Sequence, residues 1–256
     1  MYIPRSQEEK EFLENYDSSK YEKPSVTVDM VIFTLSQANT LSVLLIKRGG
    51  FPYRGCWAIP GGFVEMWESI DAAAARELKE ETGISDLPMT QIGTFGEVDR
   101  DPRTRVISVV YMAFVPQSGL DFLAGDDASD AEIFEIQYAK DGEMRFVGDR
   151  DIFSEKDLAF DHGLVLRTAI NRLRNRIDYT DDALAFLKDD QSFTAYELKT
   201  IFESVLGKKL DAANFRRDVL KKYISSGIVE ETGETEKREA LRPAKLYKRR
   251  NKQNAE

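Results

Sequence analysis

The feature that most narrows what this chain can become is a run of 23 residues from Gly62 to Ile84, GFVEMWESIDAAAARELKEETGI. Three of its carboxylates, Glu77, Glu80 and Glu81, fall within a five-residue window. In a helix, residues three and four apart share a face with Cβ atoms about 5–6 Å apart, so Glu77 stands beside both of the others and like charges oppose folding. The helix is nevertheless well specified. Ser69 caps its start, Asp71 occupies the first turn, Ala72 to Ala75 have the highest helix propensity, and Gly83 stops it. Ile70, Ala73, Ala74 and Leu78 are expected on its inner face. A solvated acidic face is the ordinary fate of a Glu-rich helix. Here Pro60-Gly61-Gly62 precedes it, a loop whose backbone can approach a ligand closely, and a hard divalent cation on carboxylate oxygens would relieve the repulsion.

Around this stretch the pattern is that of a sheet. VTVDMVIFTL and LSVLLIKR, joined by the polar turn SQANT, predict two hairpin strands rich in β-branched residues. MTQIGTFGEV and RVISVVYMAFV predict two more, the second apolar enough for the sheet interior. A short strand follows at Ile133 to Ile136. A helix over GLVLRTAINRLRNRI presents Leu164, Leu166, Ala169, Ile170 and Leu173 at helical spacing. The first 23 residues are polar with an amphipathic patch at Phe12, Leu13 and Tyr16, a helix that either packs on the domain or stays partly unfolded. Trp57 is expected in the core, and Phe51 and Tyr53 are placed there in preference to a base-stacking wall. The turn DRDPRTR carries Arg100, Arg103 and Arg105, candidates for gripping phosphate as much as solvated turn residues. The single histidine, His162, has no second ligand near it in sequence and reads as a capping or packing residue.

The tail has its own punctuation. Thr194 and Glu197 form a capping box for a helix that Gly207 ends, and Asp211 caps a second, AANFRRDVLKKYISS, ended by Gly227. Phe215, Val219 and Tyr223 fall on one stripe of it, Arg216, Arg217, Lys221 and Lys222 elsewhere. With ALAFLKDD as a short first helix and IVEET and AKLYKRR as strands, the order is that of a winged helix-turn-helix. Charge divides the chain the same way. The net −9 is made of +5 over residues 191–256, from 15 Lys or Arg against 10 Asp or Glu, and −14 over residues 1–190. The expected division is 1–180 and 181–256, the second part suited to an anionic partner. One cysteine, Cys56, excludes an intramolecular disulfide, and no apolar run reaches the ~18 residues of a membrane span, so the chain reads as cytoplasmic with no membrane partner.

Gly62, Glu68, Arg76-Glu77-Leu78, Glu80-Glu81 and Gly83-Ile84 match the Nudix box at its nine constrained positions. This resemblance implies an α/β fold, the Nudix α/β/α sandwich around a mixed sheet, that hydrolyses nucleoside diphosphates linked to another moiety. It implies Mg²⁺, or Mn²⁺ in its place, held by Glu77, Glu80, Glu81 and the Gly61 carbonyl, with Arg76 orienting the carboxylates. Arg48 and Arg103 are the phosphate candidates; the general base is open, with Asp126 and Asp127 weak choices. Extended through EKPSVTVDMV, DRDPR, AGDDA, LAFDH and the tail, the chain resembles the Nudix-related transcriptional regulators. These sense ADP-ribose or a sugar metabolite and bind an operator as homodimers through a winged helix. That implies double-stranded DNA as a partner, with Asn214, Arg216 and Arg217 on the recognition helix. Two readings compete with an ADP-ribose-responsive regulator of NAD metabolism: a hydrolase whose tail only dimerises, and a sugar-sensing regulator of pentose use.

Overall fold

In a computed structural model of the chain, residues 2–116, 131–236 and 243–250 are described. Helix α1 (Gln7–Glu14) is capped by Ser6 and buries none of its residues, so the N-terminal patch at Phe12, Leu13 and Tyr16 is exposed. The long strand β1 (Ser25–Leu35) then hairpins into β2 (Leu41–Lys47), as the turn SQANT predicts. Short strands β3 (Trp57–Ala58) and β4 (Gly61–Phe63) lead into α2 (Ile70–Thr82), followed by β5 (Met89–Phe95) and β6 (Val106–Phe114). After β7 (Ala131–Tyr138), β8 (Met144–Val147) and β9 (Ile152–Ser154) comes α3 (His162–Arg176). The sheet order is β5-β6-β1-β2-β7-β8-β9, with β3 on β2 and β4 on β1. It is mixed because β1 runs parallel to β6 and antiparallel to its other partners.

Period-two alternation along β1 decides the layers. Val28, Met30 and Ile32 point to the face covered by α2, where Ala73, Ala74 and Leu78 pack on them. Val31, Phe33 and Leu35 point to the other face, covered by α3 through Val165, Leu166, Ala169, Ile170 and Leu173. Burying a side chain the size of Leu78 contributes about 2 kcal/mol. Two expectations about helix faces fail by one position: Ile70 is exposed at the first turn of α2, and Leu164 is exposed while Val165 is buried. Ile70 lies in the first turn of α2, before Ala73 meets the sheet, whereas Leu164 lies off the stripe of Val165, Leu166, Ala169, Ile170 and Leu173 that α3 turns to the sheet.

The tail begins with a 3₁₀ turn (Asp182–Phe186) and β10 (Phe193–Thr194). Helix α4 (Ala195–Leu206) has the Thr194–Glu197 capping box and a left-handed Gly207 at its end, as its sequence predicts. The next helix is built of Ala212–Asn214, a π-helical stretch Phe215–Leu220, and Lys221–Ser225, with Asp211 capping it. Strands β11 (Val229–Glu236) and β12 (Ala244–Arg249) complete a small sheet in the order β10-β12-β11. This is the winged-helix order. The apolar core under α3 continues into it: Phe114 meets Phe186 with ring centroids 5.1 Å apart, and Phe202 meets Phe215 and Tyr223.

Candidate functional site

The box helix presents its carboxylates through one arginine. Arg76 Nε and Nη2 donate to Glu68 at 3.1 and 2.7 Å, and Nη1 donates to Glu77 Oε1 at 2.7 Å and to Glu80 Oε2 at 3.0 Å. Nη2 also reaches the Phe63 carbonyl, so the arginine ties β4 to α2 and sets where the glutamates stand. Those hydrogen bonds raise its pKa, that to Glu68 most. Of the two glycines before the helix, Gly61 is required by backbone contact, and a side chain on Gly62 would displace the Glu77 carboxylate. A Cβ on Gly62 would lie 2.2 Å from Glu77 Oε1, and one on Gly61 would lie 2.2 Å from the Val28 carbonyl.

Glu81 turns the other way. Its Oε2 accepts from the Gly61 amide at 2.6 Å. Burial pushes its pKa up; the Gly61 amide opposes this, and the neighbouring Glu77 and Asp29 charges add to it, so the group titrates at about 7. Asp29, in the middle of β1, is likewise pushed up to about 6 by burial, against the Ser108 hydroxyl and the Arg100 charge. Among the described residues no three carboxylate, histidine or cysteine side chains form a ready ligand cage, because Glu77 and Glu80 face Arg76 while Glu81 faces Gly61. The donor set nonetheless fits a hard divalent cation: all-oxygen, excess negative charge, with one member held where its charged form is costly.

Beside these groups lies a cavity of about 220 Å³ lined by Asp29, Arg48, Gly61, Gly62, Arg100, Asp101, Arg103, Phe160 and His162 among others. Arg48 and Arg103, the phosphate candidates, therefore share one wall with Gly61. Both guanidiniums stack on the Phe160 ring, at 4.8 and 5.8 Å from its centroid, and Arg103 also lies 5.4 Å from Phe63. Arg103 is paired bidentately with Asp101 at 3.0 and 2.7 Å. Arg100 is held away from solvent by Asp161, at 3.0 and 2.7 Å, and Arg105 binds the Glu97 carbonyl outside the cavity lining. His162 is a packing residue as read, with a specific task. Its Nδ1 accepts from the Ile59 amide at 2.9 Å, and burial pushes its pKa down to about 3, so it remains neutral.

Phe51 and Tyr53 are a correction. Phe51 is 80 % exposed and Tyr53 39 %, not core. Both lie in the loop between β2 and β3, and Tyr53 packs on Phe160 at 4.7 Å instead of on the sheet. Trp57 is core as expected, edge-on to Phe134, with its indole N–H on Asp151 at 2.9 Å. Asp126 and Asp127 lie outside the described residues. Sequence reasoning gave no role to Asp29, Asp101, Phe160 or Asp161. The one signal for Asp29 was a charge in the interior of an apolar strand; the others come together only across long loops.

On the tail, Asn214, Arg216 and Arg217 are exposed on the helix after α4, while Phe215, Leu220 and Tyr223 face its core. Arg217 pairs with Asp218 at 2.8 and 2.9 Å. Two larger clefts, of about 490 and 440 Å³, lie where the β1–β2 turn meets α4. Neither contains a box residue, so charge rather than volume marks the candidate ligand site. Among the described residues no helix is long and apolar enough to cross a membrane.

The NUDIX domain family model matches residues 23–153, and that of the NrtR DNA-binding winged helix domain matches residues 190–248. The chain is 37 % identical over 242 residues to the ADPR responsive transcriptional repressor NtrR of Acinetobacter baylyi, covering 94 % of this chain and 88 % of that protein. It is 41 % identical over 130 residues to the ADP-ribose pyrophosphatase of Methanocaldococcus jannaschii, covering 50 % of this chain and 73 % of that one. The crystal structure of Shewanella oneidensis NrtR complexed with a 27mer DNA superposes with a TM-score of 0.66 at 28 % identity, covering 88 % of this chain and 93 % of that one.

Proposed function

We propose, from the premise that this chain belongs to the Nudix-related transcriptional regulators, in which a NUDIX domain is joined to an NrtR DNA-binding winged helix domain, that it is an ADP-ribose-responsive regulator which also hydrolyses its effector. One observation carries the reading. The Gly61-Gly62 loop, against which the box carboxylates Glu81 and Glu77 lie, lines one cavity together with two arginines, Arg48 and Arg103, in a chain that continues into an exposed Asn214, Arg216 and Arg217 face.

In this reading Arg48 and Arg103 bind the diphosphate, and Phe160 keeps their guanidinium planes in place. Glu77, Glu80 and Glu81 with the Gly61 carbonyl hold Mg²⁺, which when bound neutralises the diphosphate and acidifies a water. Arg76 keeps Glu77 and Glu80 at a fixed spacing. The reaction adds water across the diphosphate of ADP-ribose and releases AMP and ribose 5-phosphate. Residues 1–180 form the sensor and 181–256 the reader. A twofold operator calls for a homodimer that presents two recognition helices. ADP-ribose is what remains of NAD after nicotinamide leaves, so genes of NAD metabolism are the proposed targets.

The test is an anisotropy titration against duplexes from the chain's own upstream region and from NAD-metabolism promoters, with and without ADP-ribose, AMP release being followed in the same tubes. Salt-sensitive, sequence-selective binding that ADP-ribose weakens is expected. AMP release with no selective duplex binding would leave a hydrolase alone.

A further inference from the structure

Helix α3 runs from the cavity to the winged helix, and both of its ends are fastened. At the start, three consecutive residues each hold a different part of the cavity. The Phe160 ring lies against Arg48 and Arg103, Asp161 grips Arg100 with two bonds of 3.0 and 2.7 Å, and His162 Nδ1 accepts from the Ile59 amide just before Pro60-Gly61-Gly62. Phe160 stands at φ +54°, a left-handed conformation unfavourable for a bulky residue that persists only where its surroundings over-determine it.

At the other end, Arg174 Nε donates to the Val205 carbonyl in the last turn of α4 at 2.9 Å, and Arg176 pairs with Asp182 at 2.8 Å. The Tyr223 hydroxyl, from the helix that carries Arg216 and Arg217, meets the carbonyls of Ile177 and Thr180, the second at 2.7 Å. Between the two ends Val165, Leu166, Ala169, Ile170 and Leu173 are fully buried. A 15-residue helix is about 22 Å long and stiff, and a close-packed interior moves between discrete arrangements rather than yielding gradually.

We propose that α3 is the coupling element of this protein. A diphosphate ligand that engages Arg48 and Arg103 acts on the Phe160 ring stacked against both, and α3 passes the resulting shift through Arg174 and Tyr223 to the helix bearing Asn214, Arg216 and Arg217. The proposal rests on the reading above, in which one ligand and one duplex compete for the same chain. Arg174 and Tyr223 are positioning residues that line neither the cavity nor the exposed DNA-facing surface.

The experiment uses the full-length chain in EDTA, so that ADP-ribose is not consumed. Duplex anisotropy is titrated with increasing ADP-ribose, and ADP-ribose affinity is measured separately by calorimetry. Tyr223→Phe and Arg174→Gln are each expected to cut the factor by which ADP-ribose weakens duplex binding by about fivefold or more, while ligand-free duplex affinity and ADP-ribose affinity stay within about twofold. A merely structural role would lower the melting temperature and leave that factor unchanged. Should Tyr223→Phe fail to fold, Arg174→Gln decides. Wild-type factors in both variants would overturn α3 as the coupler and leave the ADP-ribose reading standing. A wild-type protein whose duplex binding ignores ADP-ribose would bring down that reading, and the coupling with it.

Discussion

At the cavity, Arg100 is 5 % exposed and locked to Asp161, whereas on the winged helix Arg216 and Arg217 stand in solvent. The same residue type serves two purposes. Buried, it fixes a geometry at the cost of desolvation, so removing one partner strands the other charge. Exposed, it contributes little to stability and acts on a partner by charge and salt-dependent contact.

The largest effect should therefore come from the buried side. Arg100→Ala leaves Asp161 and Asp29 without their cation and is expected to cost about 3–5 kcal/mol, read as a shift in urea midpoint. Arg217→Ala should leave the same midpoint in place; a comparable loss there would erase the contrast between the two regions. Next in size, Glu80→Gln or Glu81→Gln should lower Mg²⁺-dependent AMP release by about 100-fold or more. Full turnover in either variant would remove the box from the chemistry. On the exposed side, replacing Arg216 and Arg217 together by Ala should weaken duplex binding about tenfold and flatten the salt dependence by about one to two counterions, with no loss of fold. Unchanged binding would point to another surface.

The most gradual effect, spread over several pH units, concerns His162, whose pKa falls from 6.5 to about 3 in the fold. Between those values the unfolded chain binds a proton that the native chain does not. Stability from this group is therefore whole above pH 6.5 and falls as pH drops through that window, by at most about 1.4 kcal/mol per pH unit. His162→Asn should show a flatter loss between pH 6.5 and 5 in denaturant titrations; an identical slope would mean that the buried histidine does not stay neutral.

Much of this protein is legible locally. Ser69 and Gly83 bound the box helix, Thr194 and Glu197 open α4, and the nearly continuous apolar, β-branched run VTVDMVIFTL marks a strand of the sheet interior. Each of these signals spans a few residues, where covalent geometry alone sets the distances. Ile70 and Leu164, which periodicity assigns to inner faces, are exposed, because a period gives the spacing of a face but neither its phase nor where along the helix the sheet begins to cover it. Phe51 and Tyr53 have the composition of core residues, yet their loop stands off the sheet and Tyr53 finds a partner only in Phe160.

By itself the sequence determined the chemistry on offer: glutamates at helical spacing after a glycine loop, and a capped helix pair with basic residues behind them. The tertiary structure alone decided which charges are spent. Arg100 meets Asp161 across 61 residues and His162 meets Ile59 across 103, so neither pair exists until sheet and helix have closed on each other. The same closure turns Glu81 toward Gly61 and away from Arg76. A charge's neighbours in space set its dielectric and its partners, which is why residues so alike on paper divide here into buried structural clamps and exposed contacts.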